Sequence, residues 1–114
     1  MIYEVAVVLN PDSGDQGVKN LKGLMTDLTS QFEGEVLISD HWGLKSYPKT
    51  AKAESKGNFV YFMYRSNTKL NAELERKLRI NESVLKFLTI KLGPEKHQAD
   101  YVKSYTNPFL SNNQ

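Results

Sequence analysis

The chain of 114 residues has no cysteine, two histidines, no long hydrophobic run and almost no excess of either charge. Without cysteine there can be no disulfide, no thiolate nucleophile and no sulfur-ligated metal, a composition that suits a reducing compartment. His41 and His97 are far apart in sequence and form no cluster at metal-ligand spacing, so each reads as a solvated or packing side chain. No apolar stretch approaches the roughly 18 residues of a membrane span. Strand-like residues begin immediately after Met1, so neither a signal nor a transit peptide is expected. Fifteen Lys+Arg against thirteen Asp+Glu leave a net charge of +2, too little to hold nucleic acid by bulk charge. What is present is ordinary for a globular chain: 39% hydrophobic and 25% charged residues, in a length suited to one domain.

The small net charge conceals an asymmetry. Residues 1–40 carry two lysines and seven carboxylates, for −5, whereas residues 41–69 carry six basic residues and one acidic, for +5. Residues 70–92 add +2 and residues 93–114 balance to zero. A basic segment inside a near-neutral chain can face phosphates while the remaining surface does not.

Hydrophobic periodicity sets the element order. Ile2–Leu9 is apolar on both alternating faces and reads as a central strand. Asn10-Pro11-Asp12-Ser13-Gly14 is a turn, with Ser13 or Asp15 placed to cap the next element. Val18, Leu21, Met25, Leu28 and Phe32 recur at helical spacing, up to a stop at Gly34. Residues 35–44 alternate as a second strand; residues 45–57 read as a long connection; residues 58–65 form a third strand with aromatics on both faces. Leu70, Leu74 and Leu78 mark a second helix, with Glu73–Lys77 and Glu75–Arg79 as i,i+4 pairs. Residues 84–92 form a fourth strand. The order β-α-β-β-α-β with right-handed crossovers predicts an α+β, ferredoxin-like fold, a four-stranded antiparallel sheet with both helices on one face. The domain covers residues 1–93, and residues 94–114 are expected to be a polar tail, mobile or ordered by a partner. The opposite sheet face has nothing in the chain to cover it except the tail, and large apolar side chains left exposed there would mark a partner surface.

Catalysis has little support. This topology also hosts small acylphosphatase-like enzymes that cradle an anion after the first strand, but here that loop, residues 10–17, carries Asp12 and Asp15 and no basic residue. Two carboxylates there repel an anionic substrate. The basic connection is more informative: Lys45, Lys49, Lys52 and Lys56 lie near Trp42 and Tyr47, and amines beside aromatics suit RNA. Spacing alone leaves open whether they meet RNA or serve a solvated loop that keeps strand edges apart. Residues 56–62, Lys-Gly-Asn-Phe-Val-Tyr-Phe, are loosely similar to the base-stacking motif of RNA-recognition-motif (RRM) domains, though one residue short and with the aromatics out of step. A free-standing RRM-like binder of single-stranded RNA is therefore the alternative reading.

Longer segments carry a more specific resemblance. Ile-Tyr-Glu-Val opens the first strand and Leu-Asn-Pro closes it. Asp-His-Trp-Gly-Leu-Lys lies in the second strand, Lys-Gly-Asn-Phe-Val-Tyr-Phe enters the third, and residues 73–91 run from the second helix through the fourth strand. Together these resemble the bacterial-type small-subunit ribosomal protein six family over about residues 2–92, most closely its alphaproteobacterial or mitochondrial branch. The resemblance implies a ferredoxin-like fold, no enzymatic activity and no cofactor or metal. It implies residence on the ribosome, in a bacterial cytoplasm or mitochondrial matrix. It also implies pairing with small-subunit protein eighteen and binding to the central domain of small-subunit ribosomal RNA.

Carried onto matching positions, the family's RNA contacts fall on Tyr3, Trp42, Lys45, Lys56, Arg79 and Lys86, with Lys49 and Lys91 added on charge alone. The open sheet face, assigned to Phe59, Tyr61, Met63 and Leu88, is expected to meet the partner. One segment departs from the family. The usual W-G-x-R-x-L-A-Y-x-I is replaced by residues 42–51, Trp-Gly-Leu-Lys-Ser-Tyr-Pro-Lys-Thr-Ala. Pro48 cannot donate to a ladder, so the second strand is expected to end early, and lysine at 45 gives up the bidentate geometry of arginine.

Overall fold

The computed structural model describes residues 1–50 and 53–109. Four strands and two long helices follow in the expected order: β1 Ile2–Leu9, α1 Gly14–Gln31, β2 Glu35–Thr50, β3 Ala53–Arg65, α2 Thr68–Ile80 and β4 Val84–Gly93. The sheet is antiparallel with strand order β2-β3-β1-β4. The doubly apolar β1 is therefore central, as its two hydrophobic faces require.

Both helices cover one face. Val5, Val7 and Leu9 of β1 and Val60, Phe62 and Tyr64 of β3 pack against Val18, Leu21, Met25 and Leu28 of α1 and Leu70, Leu74 and Leu78 of α2. The helix termini differ in detail from the sequence expectation. Ser13 makes no side-chain cap; its hydroxyl donates to the Asn10 carbonyl at 2.7 Å, and the Asn10 side chain accepts the Asp12 N–H at 2.9 Å. At the other end the left-handed residue is Glu33 (φ 60°), not Gly34. The Gly34 N–H instead closes a 2.7 Å bond to the Thr29 carbonyl, the long bond of a Schellman end. A Cβ on Gly34 would clash with the Arg65 carbonyl oxygen, so this glycine serves close approach. α2 is capped by Asn67, whose Oδ1 accepts the Leu70 N–H at 2.8 Å. Of its two expected ion pairs Glu75–Arg79 forms at 3.1 Å, but Glu73 takes Arg76 as its partner and not Lys77.

Two readings of the sequence are corrected. Residues 45–57 are not a long connection, and β2 does not end early. It continues to Thr50, antiparallel to a β3 that starts at Ala53, forming one long hairpin. Pro48 is accommodated because β2 is an edge strand, with a neighbour on one side only, and an edge position can lack a ladder donor. The segment expected to be a mobile or partner-ordered tail folds back on this chain. A 3-10 turn at Glu95–His97 leads into a third helix, α3 Gln98–Ser104, and residues 105–109 cross the sheet face opposite α1 and α2. The physical cause is aromatic: Tyr101, Tyr105 and Phe109 find apolar surface there that no other element covers.

Candidate nucleic-acid and partner interface

The face opposite the long helices carries Phe59, Tyr61 and Met63 of β3, as the alternation of that strand predicts, beside Ile2, Leu37, Ile38, Trp42 and Leu92. A bulge at Gly43 (φ 98°), a conformation glycine adopts without Cβ strain, shifts the register of β2 beside Trp42. The Trp42 ring stacks on Tyr61 at 5.3 Å and 14°, and Tyr105 stacks on Tyr61 at 4.6 Å and 17°. The Trp42 indole N–H donates to the Tyr105 hydroxyl at 2.8 Å, which in turn donates to Asp40 at 2.7 Å. Tyr61 donates to Glu4 at 2.5 Å.

These bonds set the protonation of the phenols. Burial first, then the Glu4 carboxylate, push the Tyr61 phenol well above its ordinary range. Burial raises Tyr105 most; the Trp42 N–H then pulls it down, the Asp40 carboxylate pushes it back up, and the phenol stands at about 12. Both phenols therefore remain protonated donors at any physiological pH.

The expected partner residues divide accordingly. Tyr61 and Met63 are 4% and 2% exposed, covered by the chain's own C-terminal segment, so neither presents itself directly to another molecule. Phe59 is half-buried, with its ring edge-on to Tyr47 and Phe109. Leu88 is 62% exposed on β4, next to Ile90 at 44% on the same face, and these two form the open apolar strip.

The expected RNA residues form two groups. Lys45 and Lys86, from opposite edge strands, flank one aromatic cluster at one end of the open face. The Lys45 Nζ lies 4.5 Å from the Phe109 ring and the Lys86 Nζ 4.4 Å from the Tyr47 ring, with Phe59 between the two rings. Trp42 borders this group, but its ring is engaged by Tyr61 and Phe109. On the helix side, Tyr3 stacks on Tyr64 at 6.0 Å and pairs in register with Lys91, while Arg79 lies 5.9 Å from the Phe87 ring. A shallow cleft of about 320 Å³ between the end of α2 and β4 joins Arg79 to Lys86. Lys56 is exposed on β3. The side chains of Lys49 and Lys52 lie outside the described residues.

Sequence reasoning missed Tyr105 and Phe109. Tyr101, Tyr105 and Phe109 recur every four residues, a signal that the polarity of the surrounding segment masked. Among the described residues no group of three or more His, Cys, Asp or Glu could hold a metal ion, and no helix is long and apolar enough to cross a membrane.

Comparison with known proteins agrees with this architecture. A family model described as Ribosomal protein S6 matches residues 2–91. The small ribosomal subunit protein bS6 of Geobacter sulfurreducens is 32% identical over 94 residues, covering 82% of this chain and 80% of that protein. The bS6 protein of Oleidesulfovibrio alaskensis is 32% identical over 97 residues, covering 85% of this chain and 96% of that protein. Among solved structures, the crystal structure of 30S ribosomal protein S6 from Thermotoga maritima superposes with a TM-score of 0.71 at 16% identity, over 90% of this chain and 96% of that one, a likeness of fold.

Proposed function

The chain belongs to the ribosomal protein S6 family, and from that premise we propose that it binds the central domain of small-subunit ribosomal RNA together with small-subunit protein eighteen. Members of the family are structural proteins of the small ribosomal subunit and not enzymes. The proposed residence is the ribosome, in a bacterial cytoplasm or a mitochondrial matrix.

The observation that carries the RNA reading is the placing of Lys45 against Phe109 and of Lys86 against Tyr47, two rings that both touch Phe59 at one end of the open face. Cations with aromatic rings beneath them can pair phosphates and stack splayed bases at once. Arg79, Lys56, Lys49, Lys91 and Tyr3 extend the proposed contact around the β4 edge and the hairpin, and Trp42 acts as a support for Phe109. Leu88, with Ile90 and Phe59, is the proposed partner contact, while Tyr61 and Met63 shape it from beneath.

A chain of low net charge makes few phosphate contacts and holds RNA weakly alone. In a filter-binding series at fixed salt, the central-domain RNA is expected to bind weakly to this chain and much more tightly when protein eighteen is added. Equal affinity in both series overturns the cooperative reading. The alternative, a free-standing single-stranded RNA module, needs Tyr61 as a base platform, and the rings of Trp42 and Tyr105 already stack on it.

A further inference from the structure

Between the C-terminal segment and the sheet lies an open cleft of about 380 Å³. Its walls are the rings of Trp42, Tyr61, Tyr101 and Tyr105, with Met63 and Leu92 at its apolar side. Among the described residues that line it, Glu4 is the one charged side chain and none is basic. Lys45 and Lys86, the cations of the RNA reading, are at the other end of the face. In the register of the sheet Lys86 pairs with Val8 and Lys45 with Gly57, whereas Glu4 pairs with Met63 and Ile90.

From this arrangement we infer that the cleft is a docking site for a cationic side chain, arginine or lysine, presented by a protein partner. The rings of Trp42 and Tyr105 stack on Tyr61, and this aromatic wall, with Tyr101, gives a cation polarisable ring surface and its aliphatic stem an apolar lining. Glu4 supplies the counter-charge. A carboxylate has about four acceptor sites, and Tyr61 uses one of them at 2.5 Å. That bond also orients the carboxylate, and Tyr61 cannot surrender its role as donor because burial beside Glu4 keeps the phenol protonated. The far wall is held in place by Tyr105 bonding to both Trp42 and Asp40 and by the Tyr101 hydroxyl donating to the Leu92 carbonyl at 3.3 Å. A nucleic acid does not fit this description, since a phosphate meets a carboxylate and no cation there. The C-terminal segment is therefore half of a binding site, and the open face is divided between an RNA end and a protein end.

The assignment of the cation to a protein partner rests on the function proposed above, but the binding itself can be tested without RNA or partner. Trp42 is the single tryptophan of the chain, so its fluorescence reports directly on the cleft. The full chain is titrated with acetyl-Gly-Arg-Gly-amide and, separately, with the same peptide carrying neutral citrulline in place of arginine. A saturable change with the arginine peptide is expected, at least about ten-fold weaker with citrulline. Glu4→Gln is expected to weaken the arginine response about ten-fold. Tyr101→Leu, which leaves the Glu4–Tyr61 bond intact, is expected to weaken it as well, and circular dichroism confirms that each variant is folded. No response to the arginine peptide, equal responses to both peptides, or an arginine response unaffected by both substitutions overturns the inference. Loss of RNA binding in the filter assay with the arginine response intact overturns the function proposed above and leaves the cleft as a cation site.

Discussion

Tyr105 is the residue on which the C-terminal segment turns. Its ring covers Tyr61, while its hydroxyl accepts from Trp42 and donates to Asp40, so one atom satisfies two partly buried polar groups. Tyr105→Phe keeps the stacking and removes both bonds. Leaving a partly buried N–H without its acceptor is expected to cost about 1 kcal/mol, the low end of the usual penalty, read as a lower urea midpoint at unchanged m-value. The same residue imposes a pH dependence. Its folded pKa of about 12 lies above the ordinary 10, so the unfolded chain releases the proton first as pH rises. This contribution is fully present below pH 10 and is lost as pH climbs from 10 through about 12. Denaturation midpoints measured across that window should fall with pH in the native chain, and less steeply in Tyr105→Phe.

At the level of elements, the two faces of the sheet have different claims on stability. The helix face is closed by fully buried side chains, and Leu74→Ala in α2 is expected to cost about 2–5 kcal/mol through lost burial and a cavity. The opposite face rests on α3 and residues 105–109, and no residue of α3 is buried. A chain ending at Pro94 is therefore expected to keep its helix-side core and far-ultraviolet spectrum. It should show Trp42 emission shifted to longer wavelength, because Tyr105 and Phe109 no longer cover the indole. An unshifted spectrum would mean that the segment does not shield Trp42 in solution. The β2–β3 hairpin shows why element boundaries were hard to read. Pro48 and the lysines around it have the composition of a loop, yet an edge strand accepts both, since proline there forfeits no ladder bond and lysines deter edge pairing.

At the level of the whole molecule, the charge distribution separates two kinds of contact on one face. Lys45 and Lys86 stand at one end and Glu4 and Asp40 toward the other. For RNA binding in the presence of the partner, Lys86→Gln is expected to reduce the slope of log K against log salt by about 0.7–0.9, the loss of one phosphate contact. Glu4→Gln should leave that slope unchanged. If Lys86→Gln leaves the slope where it was, Lys86 makes no phosphate contact and the RNA end of the face is wrongly placed.

The order of elements, the central place of β1, the helix faces buried by Leu21, Met25, Leu70, Leu74 and Leu78, and the side of β3 that carries Tyr61 and Met63 all follow from local hydrophobic period, because a two-residue or 3.6-residue repeat fixes which side chains share a face. What only the tertiary structure decided is long-range. That Lys45 and Lys86 flank one aromatic cluster, that residues 95–109 close over Trp42 and Tyr61, and that Glu4 becomes the charged wall of an aromatic cleft depend on strand order and chain reversal. Residues separated by 57 to 65 positions leave no periodic trace of their meeting. The near-zero net charge belongs to both levels: its basic and acidic blocks are legible along the chain, but only folding sets Lys45 and Lys86 at one end of the open face and Glu4 and Asp40 toward the other.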